Sequence, residues 1–312
     1  MNKLRILSLL PAATEMVYLL GLEKYLVGVS DDCDFPPQVK KLPKLTECLI
    51  DQNLTSKEID KKVKNLKHQG INVSHLDEEM LKDLKPDLIL TQDICPVCAI
   101  SYTQVKKAAR ILDYDTKIIS LEPESIEDIL ENIKVVGEFG GRKKEAVRVI
   151  EELRKRLDKV KRKIATGRTK WYIPRNDSRK VLVIEWLDPI MIAGHWAPEM
   201  VEKAGGVNLV TKPGERSKII TINQIKVLKP DILIISPCGF DIDRTFKEKE
   251  LISRIVRGIK GIRGAYLIDG NSYMTRPGPR IIDGIEILSE ILHPQVFLRK
   301  HTKKDWRRFV VL

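Results

Sequence analysis

The sequence predicts an α/β protein of two similar lobes, each with a parallel sheet covered by helices. One observation behind this is a phrase written twice. Leu84-Lys85-Pro86-Asp87-Leu88-Ile89-Leu90 returns as Leu228-Lys229-Pro230-Asp231-Ile232-Leu233-Ile234, and each copy runs on to a cysteine, Cys95 or Cys238. A second is the alternation of strand-like and helix-like segments in both halves of the chain, and a third is an unbroken amphipathic stretch between them. In each copy of the phrase a helix ends, Pro blocks its continuation, and a Leu and Ile run begins that is apolar on both faces, as in a buried parallel strand. Open α/β sheets bind ligands at strand carboxyl ends, so the two cysteines are expected to face one cleft.

The first lobe, residues 1–141, opens with strand Arg5 to Leu10, helix Ala12 to Leu20 and strand Leu26 to Ser30. Helix Glu78 to Leu84, strand Asp87 to Thr91, helix Tyr102 to Leu112, strand Lys117 to Leu121 and helix Ile126 to Phe139 follow. Ser125 is placed to cap that last helix, with acidic residues in its first turn. The polar, Lys-rich stretch Leu45 to Ser74 reads as an insertion carrying one short helix, Ser56 to Leu66. Residues 142–166 form the connection: from Lys143 to Ala165 there is no Gly or Pro, and Val147, Ile150, Leu153, Leu157, Val160 and Ile164 recur at helical spacing. At about 1.5 Å per residue this helix reaches roughly 30 Å and can act as a strut between lobes. A run of about three heptads favours packing within the chain over a coiled-coil partner, so a monomer is expected.

The second lobe, residues 167–312, follows a polar loop from Thr166 to Arg179 with strands Lys180 to Leu187 and Pro189 to Ala193. Helix Ala197 to Ala204 ends at Gly205-Gly206, and helix Ile222 to Leu228 leads into the duplicated strand. Helix Thr245 to Ile259, strand Ala265 to Asp269 and helix Pro279 to Leu292 complete it. The basic tail from Gln295 ends Phe309-Val310-Val311-Leu312 and is expected to dock on a lobe.

At 312 residues with 43% hydrophobic content, both lobes can bury a core. The net charge is +12, but 55 Lys and Arg are interleaved with 43 Asp and Glu and aromatics are 5%, which describes a solvated, ion-paired surface rather than a nucleic-acid groove. Richness in Lys, Glu and Ile suits a heat-adapted source. No stretch approaches the roughly 20 apolar residues of a membrane span. Met1 to Leu10 superficially resembles a leader, but its apolar run is short, stops at Pro11 and makes a good core strand. A cytoplasmic protein with five reduced cysteines is therefore expected.

Candidate chemistry falls at strand ends: Pro11 to Glu15, Asp31 to Pro37, Gln92 to Cys98, Gly194-His195-Trp196 and Tyr273 to Arg280. Gly-x-Ser-x-Gly, a P-loop and His-Glu-x-x-His are all missing, so an enzyme is not expected. Asp32 with Asp34, and Asp241 with Asp243, are either cation ligands or turn formers.

Taken in order, Arg5-Ile6-Leu7-Ser8-Leu9, Pro11 to Glu15, Val27-Gly28-Val29, Asp34-Phe35-Pro36-Pro37, Leu84 to Leu88 and Gly278-Pro279-Arg280 resemble the motifs of the substrate-binding proteins of vitamin B12 and iron-siderophore ABC importers, and most closely the cobalamin-binding branch. The resemblance spans the chain apart from the insertion and tail. It implies two Rossmann-like lobes of the class III periplasmic-binding-protein kind, joined by one long helix, with a flat, mostly apolar corrinoid clamped between them and no cofactor required. The resemblance implies apolar walls from Phe35, Trp196 and Tyr273 and an amide-oxygen donor in Arg276, with Trp186 a weaker candidate because it lies within a strand; Asp32, Cys33, Asp34, Cys95, His195 and Cys238 are further candidate ligand contacts from their strand-end positions. An ABC permease is the implied partner, docked through Glu79 and Glu202.

The cysteines depart from that family's pattern. Cys95-Pro96-Val97-Cys98, between a strand and a helix, has redox-pair spacing, and with Cys33 and Cys238 it could hold Zn or an iron-sulfur cluster. Buried structural thiols and soft ligand contacts are the alternative. His195 is open between metal coordination and helix capping. The functional expectation is a non-catalytic corrinoid binder, set against a cysteine-based metal or redox protein and an iron-siderophore binder, the last resting on Arg276 and Arg280.

Overall fold

Strands and helices alternate in the computed structural model, which describes residues 4–93, 102–110, 112, 114–170 and 179–311. The chain divides into two compact units. Unit 1 is Met1–Leu54, Glu58–Pro123 and Glu127–Glu151; unit 2 is Thr55–Lys57, Glu124–Ile126 and Glu152–Leu312. In chain order the elements are β1 (Ile6–Ser8), α1 (Pro11–Leu19), β2 (Leu26–Val29), β3 (Thr46–Cys48), α2 (Ser56–His68), β4 (Ser74–Leu76), α3 (Glu78–Leu84), β5 (Leu88–Thr91), α4 (Tyr102–Ala109), β6 (Lys117–Ser120), α5 (Ile126–Phe139) and α6 (Lys143–Lys170). There follow β7 (Lys180–Trp186), β8 (Met191–Ile192), α7 (Ala197–Lys203), β9 (Val207–Asn208), β10 (Lys218–Ile219), α8 (Ile222–Leu228), β11 (Ile232–Ile235), α9 (Ile242–Phe246), α10 (Lys249–Arg257), β12 (Gly264–Ile268), α11 (Gly270–Tyr273), α12 (Ile281–Leu292) and β13 (Trp306–Phe309).

Unit 1 holds a parallel sheet in the order β2-β1-β5-β6. Its strands are apolar on both faces because helices cover both, and Leu7, Leu9, Leu45, Leu81 and Ile89 form one buried cluster. The insertion begins and ends in the antiparallel pair β3 and β4, with α2 between them. Short three-residue strands of mixed polarity carry little periodicity, which is why sequence pattern missed them.

Unit 2 holds the order β10-β8-β7-β11-β12-β13, with β9 also pairing β7. The central trio β7, β11 and β12 is parallel. Ile232, Leu233, Ile234 and Ile235 are all 1% exposed or less. Burying each such side chain contributes about 1.5–3 kcal/mol. The tail docks as β13, antiparallel to β12 with Ile268 opposite Trp306 and Ala265 opposite Phe309.

The duplicated phrase makes the same joint in each unit. Lys85 and Lys229 end α3 and α8 in the left-handed conformation, φ 40° and 48°. Pro then turns the chain, and the Asp carboxylate accepts the amide that opens the neighbouring strand: Arg5 N–H donates to Asp87 Oδ2 at 2.8 Å, and Lys180 N–H to Asp231 Oδ2 at 2.9 Å. In unit 1 the Arg5 Nε also donates to the Leu84 carbonyl at the end of α3, at 2.7 Å.

Two sequence expectations need correction. The stripe of α6 is carried by Ala146, Val149, Ile150, Leu153, Val160 and Ile164, whereas Val147 is 51% exposed. Ala146 takes the inward position because it faces Gly137, where a larger side chain would collide. The single helix Thr245 to Ile259 is instead α9 and α10, separated at Lys247 and Glu248. Asp241 caps α9 by accepting the Arg244 amide at 2.7 Å, so it is a helix cap.

Within unit 2, Glu290 of α12 ties down the tail. Its carboxylate accepts Trp306 Nε1–H and the Lys300 amide, both at 2.9 Å, and lies 2.9 Å from His301 Nδ1. Glu290 is 4% exposed, so its loss strands buried donors. Glu290→Ala is expected to cost about 2–4 kcal/mol, read as a lower urea midpoint for unit 2; a change under about 0.5 kcal/mol would contradict this role for the tail.

Candidate functional site

Parallel strands present their loops at one edge, and the carboxyl-end loops of each sheet carry most of the residues expected to bind ligand, whereas His195 and Trp196 follow β8, antiparallel to β7. In unit 1 the loop after β2 runs from Ser30 to Pro37. Cys33 is 1% exposed, with its sulfur 3.1 Å from both the Ser30 and Thr14 hydroxyls. Thr14 in turn donates to Ser8 Oγ at 2.8 Å, so Cys33 knits the ends of β1 and β2 to α1. Burial raises its pKa above the ordinary thiol value against the opposing effect of those hydroxyls. Asp31 pins the same loop to the insertion: it accepts the Thr46 hydroxyl and, at 2.8 Å, the Cys48 amide. Asp32 is exposed, Asp34 half-buried and Phe35 42% exposed, so the last offers an apolar face to solvent. The loop after β5 reaches buried Gln92 and exposed Asp93; Cys95 and Cys98 lie outside the described residues.

In unit 2, Trp186 closes β7 half-buried and tilts against Phe240, ring centroids 5.3 Å apart. Phe240 follows β11, is 1% exposed, and has the Arg244 guanidinium 3.9 Å over its ring. Cys238 is half-buried on the same loop, and its amide donates to the Glu185 carbonyl at 3.0 Å. The loop after β12 carries α11, Tyr273 and half-buried Arg276. Tyr273 donates its hydroxyl to Asp305 at 2.7 Å, and burial followed by that bond raises its pKa. Its oxygen is thereby committed to the tail, while its ring lies 5.8 Å from the Arg280 guanidinium carbon.

The two tryptophans differ in burial and in what holds them. Trp196 is 7% exposed and donates Nε1–H to the Met274 carbonyl at 2.8 Å, which makes it an anchor in the core. That bond ties the turn Gly194-His195-Trp196 to the loop after β12. His195 sits at φ 54°, its amide donating to the Glu215 carbonyl and its carbonyl accepting from Gly214. Gly194 makes this possible, since a Cβ there would meet the backbone of Glu215 and Arg216. The half-buried His195 ring lies 5.7 Å from Trp196. Burial lowers its pKa, Arg216 adds to this, and Glu124 partly offsets it.

Among the described residues, the one group of three or more possible metal ligands is Asp283, Glu286 and His301, and it includes no cysteine. Arg156 donates to Asp283 at 2.5 Å and to Glu286 at 3.1 Å, so these acids are already paired with a cation. Glu79 on α3 and Glu202 on α7 are both exposed.

A family model described as "Periplasmic binding protein" matches residues 6–264. The vitamin B12-binding protein of Vibrio cholerae serotype O1 is 22% identical over 282 residues, covering 90% of this chain and 86% of the relative. An uncharacterized ABC transporter substrate-binding lipoprotein of Bacillus subtilis is 23% identical over 295 residues, covering 94% and 81%. Among solved structures, a periplasmic heme binding protein from Pseudomonas aeruginosa superposes with a TM-score of 0.72 at 20% identity, covering 97% of both chains. The periplasmic vitamin B12 binding protein of Vibrio cholerae gives 0.66 at 20% identity, covering 92% of this chain and 96% of the other. These matches bear out the expected class III fold and overturn the cytoplasmic expectation, because members of the matched family are extracytoplasmic solute-binding proteins of ABC importers.

Thiol labelling checks the unit 1 geometry: Cys33 is expected to react only on unfolding, and labelling in the native protein at the rate of an exposed thiol would contradict its burial. Histidine NMR checks unit 2. His195 should titrate below the free value of about 6.5, and its contribution to stability should be full above that pH and fall as pH drops toward its folded value, because the unfolded chain binds the proton first. A midpoint at or above the free value would contradict the described environment.

Proposed function

We propose, from the premise that the chain belongs to the periplasmic binding protein family, that it captures a corrinoid or closely related metal-centred tetrapyrrole for an ABC permease. The family makes it a solute binder of ABC transport, with a small-molecule ligand and a permease partner. No catalytic cofactor belongs to that role. The observation that carries the ligand class is the wall at the carboxyl end of the unit 2 sheet, where Trp186 is backed by buried Phe240. A flat macrocycle binds chiefly through apolar area, and a ring supported from behind supplies that area with little loss of side-chain freedom. The relatives named for vitamin B12 support the corrinoid reading.

In this reading the remaining contacts come from the unit 2 loops that follow β8, β11 and β12. Arg276 donates to amide oxygens, and Tyr273 contributes its ring, its hydroxyl being held by Asp305. His195 approaches the metal centre as the neutral imidazole that coordination requires, which its lowered pKa favours. Cys238 makes a soft contact, and Cys33 stays structural. The exposed Glu79 and Glu202 meet arginines of the permease.

The test is titration of purified protein with cyanocobalamin, hemin and a ferric siderophore while tryptophan fluorescence is followed. Cyanocobalamin should bind with a dissociation constant below about 50 µM. Trp186→Ala should weaken it roughly tenfold or more, the value of a buried aromatic contact. Binding of the siderophore alone, or undiminished binding in Trp186→Ala, would sink this assignment.

A further inference from the structure

Solute binding by itself does not require the insertion helix α2, yet its first residue is held by an acid 192 positions away. The Ser56 amide donates to Glu248 Oε1 at 2.7 Å, and its hydroxyl donates to Oε2 at 2.6 Å. Ser56 is 0% and Glu248 8% exposed, and residues Thr55–Lys57 group with unit 2, so the contact lies inside that unit. The opening amides of a helix lack intrahelical partners and carry the positive end of its dipole, so a carboxylate there stabilises the start of α2.

The same carboxylate faces the ligand wall. Arg244 places Nη1 and Nη2 each 3.4 Å from Glu248 Oε1, and its guanidinium covers Phe240, against which Trp186 tilts. Side chains of Arg244 and Glu248 are 13% and 6% exposed, so each is costly to leave without the other. The break between α9 and α10 falls at Lys247 and Glu248, placing Glu248 at the start of α10. Contacts therefore run without interruption from Ser56 through Glu248, Arg244 and Phe240 to Trp186.

We propose that Glu248 is a positioning residue of the ligand wall, and that through it ligand occupancy at Trp186 and the capped start of α2 are coupled. This rests on the assignment of Trp186 to the ligand wall. Removing the Glu248 charge takes away a partner that holds the Arg244 guanidinium over Phe240, and the backing of Trp186 becomes less rigid. Coupling of this kind is reciprocal: a change at Ser56 alters ligand affinity, and ligand alters the exchange of the first amides of α2.

The experiment uses the full chain labelled with 5-fluorotryptophan, the Trp186 resonance being assigned with Trp186→Phe. In ligand-free Glu248→Gln and in the milder Ser56→Ala, the Trp186 resonance is expected to shift while that of Trp306 stays in place. Cyanocobalamin affinity should fall by roughly three- to tenfold in both variants. An unmoved Trp186 resonance in both folded variants, or a moved resonance with unchanged affinity, overturns the proposal. A moved resonance in a protein that binds no cyanocobalamin upholds the coupling of Glu248 to Trp186 and overturns the corrinoid assignment alone.

Discussion

Two aspartates set the register on which the rest of the chain depends. Asp87 and Asp231 each follow a lysine in the left-handed conformation and a proline, and each accepts the amide at the start of the neighbouring strand, β1 or β7. A parallel pair has no hairpin turn to fix its alignment, so register has to come from side chains and from burial on both faces. One helix end, one proline and one carboxylate provide it in each unit. A one-residue slip would move Ile89 or Leu233, both 0% exposed, to the opposite covered face and out of the cluster in which each packs.

With register fixed, the carboxyl-end loops leave each sheet at defined points, and their chemistry differs between the units. Unit 1 spends its polar groups internally, binding the thiol of Cys33 to Ser30 and Thr14 and the carboxylate of Asp31 to Thr46 and Cys48. Unit 2 instead lays one half-buried indole on a buried phenyl ring and commits its other site tryptophan to a backbone carbonyl. A rigid apolar surface of this kind suits a flat apolar solute better than a charged chelate, which needs clustered cations.

Much of the fold was legible. The repeated phrase, the alternation of segments and the Gly- and Pro-free run of α6 are local signals, and the elements they specify lie within a few residues of their expected ends. What escaped depends on tertiary contacts. Pairing of β3 with β4 and of β13 with β12 is decided by a distant partner. The break before α10 is occupied by Glu248, whose side chain is directed to Ser56, and the inward turn of α6 is set by Gly137. The candidate site was legible in position and less so in role. Sequence marks Trp196, Cys33 and Tyr273 as strand-end residues, but which of them is exposed follows from Met274, Thr14 and Asp305, none adjacent in the chain.

The central claim is that the unit 2 strand ends form the wall against which a flat macrocycle packs. A crystal structure of the chain grown with cyanocobalamin tests it most directly. The account predicts the corrin in van der Waals contact with Trp186, with His195 and Arg276 within reach of its metal or amides. A corrin bound elsewhere, with the Trp186 ring in contact with solvent alone, would contradict it.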